Sequence, residues 1–248
     1  MKVSVITACF NSEATIGDTL ESVASQTYKN VEHIIIDGNS KDNTLQIVKR
    51  FPHVSKIISE PDNGIYDAMN KGIKSSTGDI ISILNSDDFF NNKNVLENVL
   101  TGFCSSGASI VYGNLYYVSK ANTKKIIRTW KTSPYKANAF VYGWHPPHPA
   151  LFAKKEVYDK YGLFDTSLNI SADFELMLRF IEKYKVKTFY LDKFLVRMRT
   201  GGASNPNLKN IIANNLNIKK AFKKNNIPYK VYYPAFRLMP KLLQFFKT

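Results

Sequence analysis

Apolar and polar positions alternate through the first hundred residues in a pattern that predicts strands followed by helices. An apolar run over 3–8 reads as a strand, and Asn11-Ser12 beyond it reads as the cap of a helix with Ile16, Leu20, Val23 and Ala24 on one face. A second strand over 31–36 ends in Asp37-Gly38-Asn39-Ser40, and Lys41-Asp42-Asn43 opens a helix carrying Leu45, Val48 and Phe51. A short strand over 54–58 is followed by the turn Asp62-Asn63-Gly64. The next helix places Ile65, Ala68, Met69, Gly72 and Ile73 inward. A fourth strand then runs Ser82-Ile-Ser-Ile-Leu-Asn-Ser-Asp87-Asp88-Phe-Phe90. Strands separated by helical segments argue for a parallel sheet with crossover helices, whose ligand groups gather at the C-terminal strand ends.

The texture changes after the helix expected over 95–103. Segments 109–118 and 125–130 read as a hairpin closed by Lys120-Ala-Asn-Thr-Lys124. Trp144-His145-Pro146-Pro147-His148-Pro149 is too rigid and aromatic for a plain linker; its histidines suit a metal, a phosphate or a structural role equally. The segment 172–184 reads as a helix with Asp173 and Glu175 in its first turn, a position that the helix dipole alone favours for acids. Gly201-Gly202 precedes a polar segment, 205–226, rich in Asn and Lys.

Composition narrows the class. With 248 residues, 44% apolar and 22% charged, the chain is an ordinary globular protein with ample core. A strand pattern begins at Val3 without a signal peptide, and no run approaches the ~18 apolar residues of a membrane span. Cys9 and Cys104 are too few for a disulfide framework or a zinc site, which fits a reducing cytosol. The net charge of +14 favours an anionic partner: nucleic acid, an acidic bilayer or a phosphate-bearing substrate. Lys and Arg are dispersed, without the recognition helix or aromatic-basic strand of a nucleic-acid module.

The sharpest chemistry is the Asp87-Asp88 pair. Two adjacent carboxylates repel, so a cation beside them is the usual remedy, and hard oxygen ligands suit Mn²⁺ or Mg²⁺ shared with a diphosphate. Cys9-Phe10-Asn11, Asp37 and Asp87-Asp88 all fall at predicted C-terminal strand ends.

These residues belong to an ordered series. It runs from Val3-Ser-Val-Ile-Thr7-Ala-Cys-Phe-Asn11 through Gln26-Thr-Tyr28, Ile36-Asp37-Gly-Asn-Ser-Lys-Asp-Asn-Thr44 and Glu60-Pro-Asp-Asn-Gly-Ile-Tyr-Asp-Ala-Met-Asn-Lys-Gly72. It continues with Thr77-Gly-Asp79, Leu84-Asn-Ser-Asp-Asp88, His148-Pro-Ala-Leu-Phe152, Tyr161-Gly-Leu-Phe-Asp165 and Ala172-Asp-Phe-Glu-Leu176. In this the chain resembles the family 2 inverting glycosyltransferases that use nucleotide-diphosphosugars, particularly those of bacterial surface-polysaccharide (O-antigen or capsule) assembly.

The resemblance implies an α/β GT-A fold, with a Rossmann-like, mostly parallel sheet flanked by helices. It further implies a catalytic domain over 1–204, with a nucleotide-sugar half (1–103) and an acceptor half (104–204), then a helical, basic-aromatic extension over 205–248. Asp87 would be the metal ligand. Thr7, Phe10, Asn11, Asp37, Asp67, Asn70, Lys71, Asn85 and Asp88 would serve the nucleotide-sugar, with Phe10 on the base. Asp173 would be the general base, and Trp144, His145, His148 and Arg197 would lie on the acceptor side.

Two departures stand out. Asn85 occupies a place where relatives commonly carry an acid, and Gly38 follows Asp37 where many carry a second acid. The first bears on ion affinity and the second on the choice of base.

The expected activity is transfer of a hexose or N-acetylhexosamine, with UDP-sugar as first choice of donor, to a glycan or lipid-diphosphate-linked acceptor. A nucleotidyltransferase would want similar carboxylates but also a Gly-rich triphosphate loop, which is not visible, and a basic nucleic-acid-binding module rests on charge alone. The Tyr, Phe, Leu, Lys and Arg of 229–248 suggest a segment lying on an anionic inner-membrane surface, making the enzyme a cytoplasmic, peripherally attached protein.

Overall fold

The computed structural model describes residues 1–201, 208–234 and 236. The first half follows the expected alternation: β1 (Val3–Cys9), α1 (Ile16–Ala24), β2 (Val31–Asp37), α2 (Thr44–Val48), β3 (Val54–Ser59), α3 (Ile65–Ser75) and β4 (Ile80–Ile83). The two-residue β5 (Phe89–Phe90) and α4 (Val95–Ser106) complete it. The second half holds the hairpin β6 (Ile110–Val118) and β7 (Ile126–Trp130), then β8 (Leu151–Lys154), α5 (Lys155–Tyr161), α6 (Ala172–Met177), β9 (Thr188–Arg199) and α7 (Leu208–Lys224). Short 3₁₀ turns occupy Ala139–Tyr142 and His148–Ala150, and α6 passes into one π-helical stretch at Leu178–Lys183.

The described residues form one nine-stranded sheet in the order β3-β2-β1-β4-β8-β6-β9-β5, with β7 added to β6. The sheet is mixed, with its parallel part where the alternation of strands and helices placed it. Strands β1 to β4 are parallel, but β8 pairs antiparallel with both β4 and β6, and the β6–β7 and β5–β9 pairs are antiparallel too. Only β6–β9 is parallel in the second half.

Side-chain alternation along the strands sends residues to two faces. Ile6 and Ile81 meet Met69 and Ile73 of α3 on one face, while Val3, Val5 and Ile80 meet Leu96, Val99 and Phe103 of α4 on the other. Gly72 lets α3 approach β1 closely, since a Cβ there would lie 2.3 Å from Ile6 Cγ2. Among the inward positions expected on α3, Ile65 differs: it is 44% exposed, because it opens the helix at the sheet's rim. The Asn11-Ser12 cap also shifts. Asn11 takes a positive φ of 46°, and α1 begins only at Ile16 behind Thr15.

The polar 205–226 segment has a packing role. Ile218, Ala221 and Phe222 of α7 are buried with Phe174 of α6, and Asn225 donates to Glu175 at 3.0 Å. The expected membrane segment is corrected in part: Tyr233 is 1% exposed and packs against Phe222 and Phe174, with Tyr229 beside it. Residues 237–248 lie outside the described residues.

On β2, next to the edge strand β3, the buried His33 ring meets Thr7 Oγ1 at 3.1 Å and His53 Nε2 at 3.1 Å. Burial, with His53 adding to it, lowers the His33 pKa to about 3. The folded state therefore refuses a proton that the unfolded chain accepts below about pH 6.5. Stability is fully present above that pH and falls as the pH drops toward 3. In His33→Gln the decline of the denaturation midpoint between pH 7 and pH 4 should be shallower than in the wild type, measured by urea titration at several pH values.

Candidate active site

Strand β4 ends at a turn that carries Asp87 and Asp88. The backbone N–H of Asp88 donates to the Asn85 carbonyl at 3.0 Å, and Thr19 Oγ1 of α1 donates to the Asp88 carbonyl at 2.7 Å. The Asn85 amide donates to Asp88 Oδ2 at 3.1 Å. Arg199, at the end of β9, closes the turn. Its guanidinium donates to the Asp87 carbonyl at 2.6 Å, pairs with Asp18 and lies 5.1 Å from the centre of the Phe89 ring.

Both acids are pushed toward the neutral form by burial, and Asp88 also by the charge of Asp87 beside it. The Arg199 charge opposes this at both, and Lys120 of the hairpin turn opposes it at Asp87. Asp88 Oδ1 and Asn85 Oδ1 are buried with no protein partner. Among the described residues no three His, Cys, Asp or Glu side chains gather around one point. A carboxylate oxygen and an amide oxygen without partners, beside the second carboxylate of Asp87, are nonetheless what Mg²⁺ or Mn²⁺ needs when phosphates complete its shell. The residues present fit an ion shared with a diphosphate, not an all-protein cage.

Beside this pair, Phe10 stands 61% exposed at the end of β1. Gly38 lies under it: a Cβ at Gly38 would sit 3.4 Å from the Phe10 ring and 2.6 Å from Asp62 Oδ2. Asp37 is fully buried and holds the turn, accepting from Ser40 Oγ, from the Ser40 N–H at 3.1 Å and from Ser59 Oγ at 2.7 Å. Asn11 stitches the facing loops, its N–H donating to Ser40 Oγ and its side chain accepting from the Lys41 N–H, both at 2.9 Å.

The second half of the chain contributes Asp173 in the first turn of α6. Tyr66 of α3 donates to Asp173 Oδ1 at 3.1 Å. Burial lowers the pKa of the buried His148, and the Asp173 charge partly offsets that. Tyr117 of β6 feels several charges. Burial raises its pKa, Arg128 packed 3.7 Å over its ring lowers it, and the charges of both Asp88 and Asp173 raise it further.

Other expected residues have structural work. Thr7 is buried against His33. Asn70 donates to the Phe164 carbonyl and accepts from its N–H, both at 2.9 Å, which commits its amide to that loop. Asp67 accepts from the Asn63 N–H at 3.0 Å, and Lys71 donates to the Pro61 carbonyl at 2.8 Å and pairs with Glu60 at 2.8 Å. Arg197 binds Asn91 and the Thr123 carbonyl. Trp144 donates to Ser133 and packs with Phe140, while His145 sits between Trp130 and Phe174.

The Glycosyl transferase family 2 model matches residues 4–158. An uncharacterised glycosyltransferase of Mycobacterium tuberculosis is 33% identical over 71% of the chain and 68% of its own length. The chain belongs to glycosyltransferase family 2.

An Escherichia coli relative of this glycosyltransferase, the UDP-Glc:alpha-D-GlcNAc-diphosphoundecaprenol beta-1,3-glucosyltransferase WfaP, is 30% identical over 85% of the chain and 82% of its own. Among solved structures, S. aureus TarS 1-349 in complex with UDP-GlcNAc superposes with a TM-score of 0.68 at 21% identity, over 84% of this chain. The chain spans 62% of that TarS chain. The mannosyltransferase PcManGT from Pyrobaculum calidifontis, in complex with GDP-Man and Mn²⁺, gives 0.67 at 15% identity over 97% of this chain and 69% of its own. The glycosyltransferase fold is thus the GT-A type.

Sequence reasoning missed Arg199, Tyr66, Asp62 and Tyr117. Asp62 and Tyr66 lay inside a quoted motif, but only the folded chain brings Arg199 and Tyr117 to the acids. Arg199→Gln should destabilise this glycosyltransferase by about 1–3 kcal/mol, since it leaves the buried acids without their counter-charge. Part of that loss should return in Arg199→Gln/Asp88→Asn, read as a coupling energy in chemical denaturation.

Proposed function

We propose that the enzyme moves a hexosyl or N-acetylhexosaminyl group from a nucleotide-diphosphosugar, UDP-sugar first, to a hydroxyl of a lipid-diphosphate-linked glycan, with inversion. The observation that carries this is the turn after β4, where Asp88 Oδ1 and Asn85 Oδ1 are buried without a protein partner at the sheet rim that also presents the exposed Phe10 over Gly38. The UDP and lipid-linked choices draw support from relatives and neighbours: WfaP by its named donor and acceptor, TarS by its bound UDP-GlcNAc. A role in O-antigen, capsule or exopolysaccharide assembly follows from the same acceptor class.

On this reading the base of the nucleotide stacks on Phe10, with Gly38 keeping the floor open and Asp62 at its edge. Asp87, with Asp88 and Asn85 behind it, holds Mn²⁺ or Mg²⁺ against the diphosphate. When bound, that ion neutralises charge on the departing nucleotide. Asp173 takes the proton of the acceptor hydroxyl as its oxygen attacks the anomeric carbon. The bond from that carbon to the diphosphate breaks on the opposite side, so the configuration inverts.

The same reading places the enzyme in the cytoplasm, attached peripherally to an anionic membrane surface. Among the described residues no helix is long and apolar enough to cross a membrane. The apolar face available for contact is not the whole C-terminal segment. Ile212, Leu216 and Val231 are 54%, 56% and 92% exposed and, with Asn215, Lys219 and Tyr229, line a groove of about 600 Å³. Exposed Lys220, Lys223 and Lys224 follow on α7, giving an apolar face with a cationic flank.

Three measurements test the reading. A thermal-shift panel of nucleoside diphosphates with Mn²⁺ should give the largest stabilisation with UDP, and stabilisation by triphosphates or oligonucleotides in its place would overturn it. Asp87→Asn should weaken Mn²⁺–UDP binding in calorimetry, whereas Asp173→Asn should bind UDP normally and lose about 10²–10⁴-fold in transfer. Equal losses of nucleotide affinity in both variants would move Asp173 to the donor side. Ile212→Glu/Leu216→Glu should no longer pellet with anionic vesicles at low salt, with its melting temperature unchanged; undiminished pelleting would refute this face as the contact.

A further inference from the structure

The proposed base sits on a helix too short to fix it. The α-helical part of α6 spans six residues, with Asp173 in its first turn, and has no side-chain cap at its N-terminus. Ser171, just before it, has a φ of 72° and donates to Asn214 of α7 at 2.5 Å. What reaches Asp173 itself is the hydroxyl of Tyr66, 3.1 Å from Oδ1, arriving from α3 in the donor half. That tyrosine is itself held. Its ring stacks on Phe164 with centroids 5.5 Å apart, and the Phe164 backbone is gripped on both its N–H and its carbonyl by Asn70. His148 meets the other ring partner, Phe164, edge-on at 5.5 Å. Tyr66 also walls a cavity of about 210 Å³ with Asn63, Gly64, Ile65, Thr166 and Asn169.

We propose that Tyr66 is a positioning residue for the transfer: it donates to one oxygen of Asp173 and so aims the other at the acceptor hydroxyl. This rests on Asp173 being the base. Burial, and then the Asp173 charge, raise the Tyr66 pKa, so the phenol keeps its proton at any pH where a carboxylate base works. Toward the carboxylate Tyr66 is therefore the donor, and it does not compete for the acceptor's proton. In the step, the acceptor O–H proton passes to the unengaged oxygen of Asp173. The acceptor oxygen bonds the anomeric carbon, and the electron pair of the broken bond leaves with the diphosphate. The Tyr66 proton stays on its own oxygen throughout. The cavity beside Tyr66, with amide and hydroxyl groups of Asn63, Thr166 and Asn169 on its wall, is of a size for a sugar ring near the attacking hydroxyl.

The side-chain hydrogen bond that reaches Asp173 among the described residues comes from Tyr66 of α3. Tyr66→Phe removes the hydroxyl and keeps the ring on Phe164. It should lower kcat by about 10- to 100-fold, the scale of a misaimed reacting group, with UDP affinity in calorimetry within twofold of wild type. In an Asp173→Asn background, Tyr66→Phe should cost nothing further, as expected when one residue acts through the other. A Tyr66→Phe enzyme with unchanged kcat would overturn the proposal while Asp173→Asn stays inactive and the base assignment stands. Near wild-type activity in Asp173→Asn would sink the base assignment itself. A Tyr66→Phe variant that loses UDP affinity rather than kcat would make Tyr66 a donor contact and overturn the proposal equally.

Discussion

The structure depends on holding a fully buried carboxylate, Asp88, against its half-buried neighbour Asp87 at the end of β4. Burying such a pair is unfavourable twice over, through lost hydration and through mutual repulsion. The chain offsets this with fixed groups: the Asn85 amide on Asp88, the Thr19 hydroxyl on the Asp88 carbonyl, and Arg199 on the Asp87 carbonyl. The offset is incomplete, because Asp88 Oδ1 and Asn85 Oδ1 have no protein partner. An enzyme that bound a cation and an anionic diphosphate together would need this kind of deficit. Full satisfaction by protein groups would leave nothing for the ligand to complete.

The antiparallel strands explain how distant segments reach that rim. Strand β8 runs opposite to β4, with Ser82 opposite Phe152 and Ile80 opposite Lys154. Its first residue therefore lies toward the C-terminal end of β4, and the Trp144 to Ala150 approach arrives at the acidic turn. A parallel β8 would have delivered that loop to the opposite edge. Strand β6 is antiparallel to β8, and β9 is parallel to β6 with Arg199 opposite Val118, so the end of β9 also returns to the same rim. The ligand-binding rule for parallel sheets is extended here by three strands that do not obey the simple alternation.

What the sequence revealed follows from the range of the physics involved. Strand and helix positions were legible because period-two and period-3.6 patterns are local, and the motif series located the acids at strand ends. The sheet order was not, since β8 has only four residues and its pairing is set by partners about seventy residues away. Asn70 shows a subtler limit. Its spacing from Asp67 put both on one helix face, but Asn70 is buried and its amide is spent on Phe164, ninety-four residues on. A polar side chain among inward-facing apolar ones signals a buried hydrogen-bond partner as readily as a ligand. Arg197 and Arg199 share one face of β9, two residues apart, and only the pairing of β9 with β5 and β6 shows that Arg199, at the strand's end, is the one that reaches the Asp87 carbonyl.

The Asn-rich segment near the C-terminus is accounted for by the same need to place Asp173. Asn214 accepts from Ser171, Asn217 donates to the Ile170 carbonyl at 3.0 Å, and Asn225 donates to Glu175. Each contact falls within three residues of Asp173. The carboxylate is thus located by α7, which fixes the backbone leading into α6, and by α3, which fixes one of its oxygens. Since α3 also lies against β1 and β2, the acid is referenced to the strands whose ends carry Phe10 and Asp37. The placement of Asp173 relative to those strand ends then depends on packed contacts between elements distant in sequence, and not on the short helix that carries the residue.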